Sequence, residues 1–370
     1  MNLALLKEYR ELFENHCKNL DESKAIGILS KENLSNEDLI TLLNVENPQI
    51  IKLMATKAKT ITDNYFGKTI LLYAPLYISN LCNSGCVYCG FSKLNSGVVR
   101  KKLSFSEIKD ELLSLKSEGL DSILILTGED RLNSPFEYIY EACKLASEYF
   151  SEVSVEVYPL DEEEYLSLTK VNVIGLTIYQ ETYDIEQYDK LHLFGTKKDF
   201  SYRLNAPERA ANAHIKEICI GPLLGLSNPK EDVFLSLLHA KYLMDKFPDL
   251  EVSISFPRFR KANVFFNPKY FVSDREFIKY IAAARLFLNR VGITISTREN
   301  SILRDALIGY GITKMSAGSK TTVGGYAKSD NLQGQFETED KRNVREVIEA
   351  IKSKGYRPEF TNWIKGVSTI

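Results

Sequence analysis

Ile70-Leu-Leu-Tyr-Ala-Pro-Leu-Tyr-Ile78 reads as a buried strand, and Cys82-Asn-Ser-Gly-Cys86-Val-Tyr-Cys89-Gly-Phe91 follows within a few residues. The three cysteines are spaced C-x3-C-x2-C on one short loop, with no fourth cysteine close by. Cysteine thiolates are the usual ligands of iron–sulfur clusters. Three of them can hold three corners of a 4Fe-4S cube and leave one iron open to a small molecule. Zinc normally takes four closed ligands from paired motifs, and no second C-x2-C is present. Gly85 and Gly90 suit the tight turns such a loop needs.

Outward from this loop, strands and helices alternate. Strands are expected at 70–79, 121–127, 153–158, 171–179, 216–221, 251–256, 291–297 and 312–317. A helix over 104–118 opens on the capping box Ser104/Glu107 and stops before Gly119. Eight such units predict a closed parallel (β/α)8 barrel, with a doubly wound open sheet as the alternative. Residues 1–66 read as a helical extension, with a capping box at Ser35/Asp38. The barrel is expected over 67–354, and 355–370, with the single Trp363, as a tail covering one end.

A parallel strand buried on both faces is normally apolar throughout. Here Ser253 and Ser255, Thr177, Tyr179 and Glu181, and Thr294, Ser296 and Arg298 alternate with apolar residues. One strand face therefore lines a solvated cavity. Active sites of this fold lie at the C-terminal strand ends, where the cysteines, Glu129, Glu181, Arg258, Arg298 and Ser316 all fall. Strand parity turns Arg298 inward, where a guanidinium needs an anionic ligand or a buried acid such as Glu299 or Glu181.

The chain has 370 residues, 44% apolar and 26% charged, with a formal net charge of −2. That balance gives no reason to expect a nucleic-acid or membrane partner. No apolar run reaches the about 18 residues of a membrane span. Charges come too early for a secretory leader, so a cytoplasmic protein is expected. Cys17, Cys143 and Cys219 are scattered and read as core thiols rather than a disulfide framework.

The cysteine spacing, with aromatic Tyr88 before the third cysteine, resembles the radical S-adenosylmethionine (SAM) superfamily. Thr127-Gly-Glu129-Asp130, Tyr179-Gln-Glu-Thr-Tyr183, Lys198-Asp-Phe-Ser-Tyr-Arg203, Gly221-Pro-Leu-Leu-Gly225, Ser255-Phe-Pro-Arg258, Ser296-Thr-Arg298-Glu299 and Ser316-Ala-Gly-Ser319 narrow the likeness to its aromatic amino acid lyase branch. The resemblance covers nearly the whole chain. It implies a 4Fe-4S cluster on Cys82, Cys86 and Cys89 and reductive cleavage of SAM to methionine and 5′-deoxyadenosine. It further implies hydrogen abstraction from the amino group of L-tyrosine and scission of Cα–Cβ to p-cresol and 2-iminoacetate, a step of thiamine thiazole synthesis.

By the same resemblance, Tyr88 lies near the adenine and Glu129 holds the SAM amino group. Arg203 is a candidate for the SAM carboxylate, Glu181 for the ribose or an ion pair with such an arginine, and Gly221 and Gly225 for close backbone approach to the adenine. Arg298, helped by Ser316, is chosen for the tyrosine carboxylate, and Arg258 is a substitute. The four histidines receive no role. A flavodoxin- or ferredoxin-type electron donor and a thiazole synthase subunit are the implied partners. Tryptophan is the alternative substrate. Hydrogenase maturation is disfavoured because no cysteine follows Cys219. Sulfur insertion would need a second cluster, and a non-catalytic iron–sulfur carrier would need no cavity.

Overall fold

The computed structural model describes residues 1–328 and 332–361. Its barrel strands are β1 (Thr69–Ser79), β2 (Ser122–Thr127), β3 (Glu152–Glu156), β4 (Val173–Glu181), β5 (Glu217–Pro222), β6 (Glu251–Ser255), β7 (Gly292–Ile295) and β8 (Lys314–Ser316). Each pairs in parallel with its sequence neighbour, and β1 pairs with both β2 and β8. The ring is therefore closed, and the open-sheet alternative falls. Every expected strand is present, with ends displaced by at most two residues.

The tail adds β9 (Arg357–Glu359), which pairs with Thr69–Leu71 at the start of β1. The cover expected from Trp363 lies outside the described residues.

Both expected capping boxes form. Ser35 accepts from the Asp38 amide and Ser104 from that of Glu107, and each acid reaches back to the cap residue. Helix Pro48–Phe66 lies against helix Asp274–Phe287 on the outside of the barrel, and Lys279 donates to the Val45 carbonyl at 3.0 Å. The amino terminus is paired with Glu208 at 3.1 Å. The first 66 residues thus form a helical layer on the barrel's outer surface. No helix among the described residues is long and apolar enough to cross a membrane.

Inside the ring the polar strand face points inward, as the alternation predicts. Tyr73, Ser154, Thr177, Tyr179, Thr294 and Lys314 face a lower chamber, where Lys314 pairs with Glu217 at 3.2 Å.

Candidate active site

At the C-terminal mouth of the barrel lies a cavity of about 900 Å3, counted with the space it opens to solvent. Its wall includes Tyr88 and Cys89 of the cysteine loop, Glu156, Glu181, Lys197, Arg298 and Ser316. The loop after β1 enters this wall because its backbone is held on two sides. Gly85 exchanges backbone hydrogen bonds with 193–194, and Gly90 donates to the Gln335 carbonyl at 3.2 Å. Neither glycine has a positive φ. Their role is proximity rather than the turn geometry expected: a Cβ would come within 2.6 Å of the Phe194 ring at Gly85 and within 2.4 Å of the Gln335 carbonyl oxygen at Gly90.

Cys86 is buried, and Cys82 and Cys89 are half-buried. Burial, with Cys89 and then Glu129 adding to it, pushes the Cys82 thiol up to about 11. Cys86 is held well above the usual thiol range, chiefly by burial. Cys82 and Cys86 resist ionising until a cation shares the site, and an iron–sulfur cluster would supply that charge. Among the described residues, no three His, Cys, Asp or Glu side chains are gathered as a single metal ion requires. A cubane places each cysteine on a separate iron and needs no such convergence. The donor set and its setting fit the cluster.

Tyr88 is fixed from behind by a residue to which the sequence assigned nothing. Its hydroxyl meets His192 Nε2 at 2.8 Å, and His192 Nδ1 lies 2.8 Å from the Tyr188 carbonyl. A carbonyl only accepts, so Nδ1 carries the proton and Nε2 accepts from the Tyr88 hydroxyl. Burial, then nearby Lys197, lowers the His192 pKa to about 3 and keeps the ring neutral.

Glu129, Glu181 and Arg203 come together as expected, but Lys197 stands between them. Arg203 donates to Glu129 at 2.7 Å and to the Tyr179 carbonyl at 2.7 Å. Lys197 donates to Glu181 at 2.5 Å and lies 4.0 Å from Glu129. Burial and Arg203 oppose the charge on Lys197, yet Glu181, Cys86 and Glu129 outweigh them and hold its pKa above the usual range. Glu181 is kept ionised against burial by Lys197 and Arg203. Its φ is 71°, and the β4–β5 register shifts between Tyr179 and Glu181. Such a bulge re-aims a side chain at a local cost in strain. Here it accompanies a carboxylate in the cavity wall. Glu181 therefore pairs with Lys197, where the sequence reading offered the ribose or an arginine.

Gly221 and Gly225 are both tightly packed against protein. A Cβ at Gly221 would lie 1.9 Å from the Ser255 carbonyl oxygen, and one at Gly225 (φ +118°) would meet Phe259 and the Tyr270 carbonyl. Packing accounts for both, and neither lines the cavity.

Arg258 is 7% exposed and fully engaged: its guanidinium meets Glu299 at 2.9 Å through Nε, Asp274 at 2.8 Å and the Val272 carbonyl at 2.9 Å. It lies outside the cavity wall, and Glu299, once a possible partner for Arg298, belongs to Arg258 and Arg260. Arg298 is in the cavity wall, stacked on Phe336 with 3.3 Å to the ring centroid. Among the described residues its guanidinium has no hydrogen-bond or ion-pair partner, and burial lowers its pKa. Ser316 accepts from the Thr297 amide at 3.2 Å at the same rim.

A closed parallel barrel with three cysteines on the loop after its first strand, opening on a charged cavity, defines a radical SAM enzyme. The Radical SAM superfamily model matches residues 76–238, and the Biotin and Thiamin Synthesis associated domain matches 255–357. The chain is 34% identical over 336 residues to 2-iminoacetate synthase of Escherichia coli (strain K12), covering 90% of this chain and 89% of that protein. It is 25% identical to 3-methylornithine synthase of Methanosarcina barkeri, over 92% of this chain and 95% of that one. The FeFe-hydrogenase maturase HydG from Carboxydothermus hydrogenoformans superposes with a TM-score of 0.89 at 31% identity, covering 97% of this chain and 84% of that structure. The chain belongs to the 2-iminoacetate synthase family of radical SAM proteins. Membership implies a 4Fe-4S cluster and SAM.

Proposed function

We propose that this enzyme is a lyase that cleaves the Cα–Cβ bond of L-tyrosine to 2-iminoacetate and p-cresol for thiamine thiazole synthesis. The observation that carries the substrate class is Arg298, a cavity-facing guanidinium without a carboxylate among the described residues. An amino acid carboxylate completes it by a bidentate fork.

Cys82, Cys86 and Cys89 are the residues that would hold the cluster. Bound cluster and SAM together supply the electron and the hydrogen-abstracting group that start the reaction. The chain's own work is orientation. Tyr88, immobilised by His192, offers an aromatic wall of the cavity next to Cys89. Glu129, Arg203, Glu181 and Lys197 form a buried set of alternating charges that can reopen toward the amino and carboxylate groups of SAM. Arg298 and Ser316 fix the tyrosine backbone on the opposite side of the barrel from β3 and β4. Enclosure within the barrel keeps water and other hydrogen donors from the reacting centre. An electron donor of flavodoxin or ferredoxin type and a thiazole synthase subunit that accepts the imine belong to the same reading.

The test is an anaerobic assay of reconstituted protein with SAM, a reductant and L-tyrosine. Tyrosine-dependent p-cresol and 5′-deoxyadenosine are the expected products. 5′-Deoxyadenosine formed with tryptophan but not with tyrosine would move the enzyme to another substrate.

A further inference from the structure

The same cavity contains a second ion without a partner. Glu156 is the last residue of β3, and its side chain lines the cavity. Among the described residues its carboxylate makes no hydrogen bond and no ion pair. The neighbouring phenols are engaged elsewhere: Tyr77 donates to Gln335 Oε1 at 2.8 Å, while Tyr73 and Tyr179 are turned to Ser316 and Ser255. Burial, with Glu181 adding to it, raises the Glu156 pKa to about 7 against the pull of Arg298. An acid left in such a place without a donor is matched by a ligand or removed from the sequence.

Position selects the part of the ligand it would meet. In the ring order β1 to β8, β3 and β7 are four strands apart in either direction, so Glu156 and Arg298 come from opposite walls. An amino acid whose carboxylate sits on Arg298 has its ammonium one carbon away, on the same wall. Only the far end of the side chain crosses to Glu156. In tyrosine that end is a hydroxyl, a donor suited to a carboxylate acceptor.

We propose that Glu156 accepts the hydrogen bond of the substrate phenol and is the residue that selects tyrosine over phenylalanine. This rests on the tyrosine reading above. Phenylalanine would fill the same volume and leave the buried carboxylate unanswered, the arrangement by which hydroxyl-reading sites reject the analogue that lacks it. Glu156 acts by holding the ring in place, not by touching the reacting amino group.

The experiment is equilibrium binding of L-tyrosine and L-phenylalanine to the anaerobically reconstituted enzyme with SAM and no reductant, followed by tyrosine kinetics. Wild type should favour tyrosine at least about 100-fold, and Glu156→Gln should bring the ratio below about tenfold by losing tyrosine affinity while phenylalanine affinity holds. KM for tyrosine should rise with KM for SAM unchanged, and Glu156→Asp should recover part of the preference. Selectivity kept in a folded, cluster-bearing Glu156→Gln protein overturns the assignment. So does an equal loss for both amino acids, which would place the carboxylate on the ammonium. If wild type binds no tyrosine at all, the substrate reading falls with it. If Glu156→Gln does not fold, Glu156→Ala gives the same ratio test.

Discussion

Arg258 and Arg298 leave the C-terminal ends of adjacent strands, β6 and β7, into opposite electrostatic settings. Arg258 is answered by Glu299, Asp274 and a carbonyl. Arg298 has an aromatic ring beneath it and no acid. The same division runs through the molecule. In the outer shell Arg304 is fully buried and paired with Asp340, and in the lower chamber Lys314 is paired with Glu217. In the cavity wall Glu156 and Arg298 face each other unpaired from opposite sides. Arg258, Arg304 and Lys314 are each matched by an acid, whereas Arg298 and Glu156 are left for a ligand to complete.

The sharpest way to break this comparison is to remove one partner of a matched pair. Arg304→Ala would leave Asp340 with Arg342 as its remaining cation and should cost about 3 kcal/mol of stability. Arg258→Ala should also lower the melting temperature, with tyrosine KM little changed in whatever enzyme folds. Thermal unfolding and steady-state kinetics on the two variants read both numbers.

Arg298→Ala should behave in the reverse sense. We expect tyrosine KM to rise about 100-fold, near 3 kcal/mol, with SAM KM unchanged. Since burial disfavours the Arg298 charge in the free protein, the variant should be no less stable than wild type. Unaltered tyrosine kinetics would end its assignment to the substrate carboxylate.

A smaller effect distinguishes Glu156. Its folded pKa of about 7 lies above the usual 4.5, so the folded state holds the proton more tightly than the unfolded chain. The cost of ionising it therefore appears as pH rises through 4.5 to 7 and is fully present above 7. Glu156→Gln should be more stable than wild type by about 1–3 kcal/mol above pH 7, with the difference fading below about pH 5. A gain in stability joined to a loss of tyrosine preference would mark a group kept for binding.

Much of this was legible in the chain. The C-x3-C-x2-C loop, the eight strands and the inward parity of Thr177, Tyr179, Ser296 and Arg298 rest on short-range patterns, and strand periodicity reports them faithfully. Glu156 has the same signal, since Ser154 and Glu156 alternate with Val153 and Val155. Lys197 gave none: it lies in a short helical turn between Thr196 and Lys198, and only the closed ring brings it against Glu181. His192 likewise gains meaning from the antiparallel bridge it forms with Cys86. At Gly221 and Gly225 a glycine in sequence says that space is short, and only the structure shows the Ser255 and Phe259 neighbours that fill it. β9 was absent from the reading because three residues containing a proline carry no strand period.

The hydrogen bond from Gly90 to the Gln335 carbonyl joins residues nearly 250 positions apart, and Gln335 also reaches the Cys89 sulfur at 3.6 Å. In the order of synthesis, the three cysteines emerge well before the backbone that caps them. A nascent chain stopped before Gln335 would hold all three thiols but lack one wall of their seat. The seat of the three cysteines is therefore closed only once the chain through Gln335 has been made.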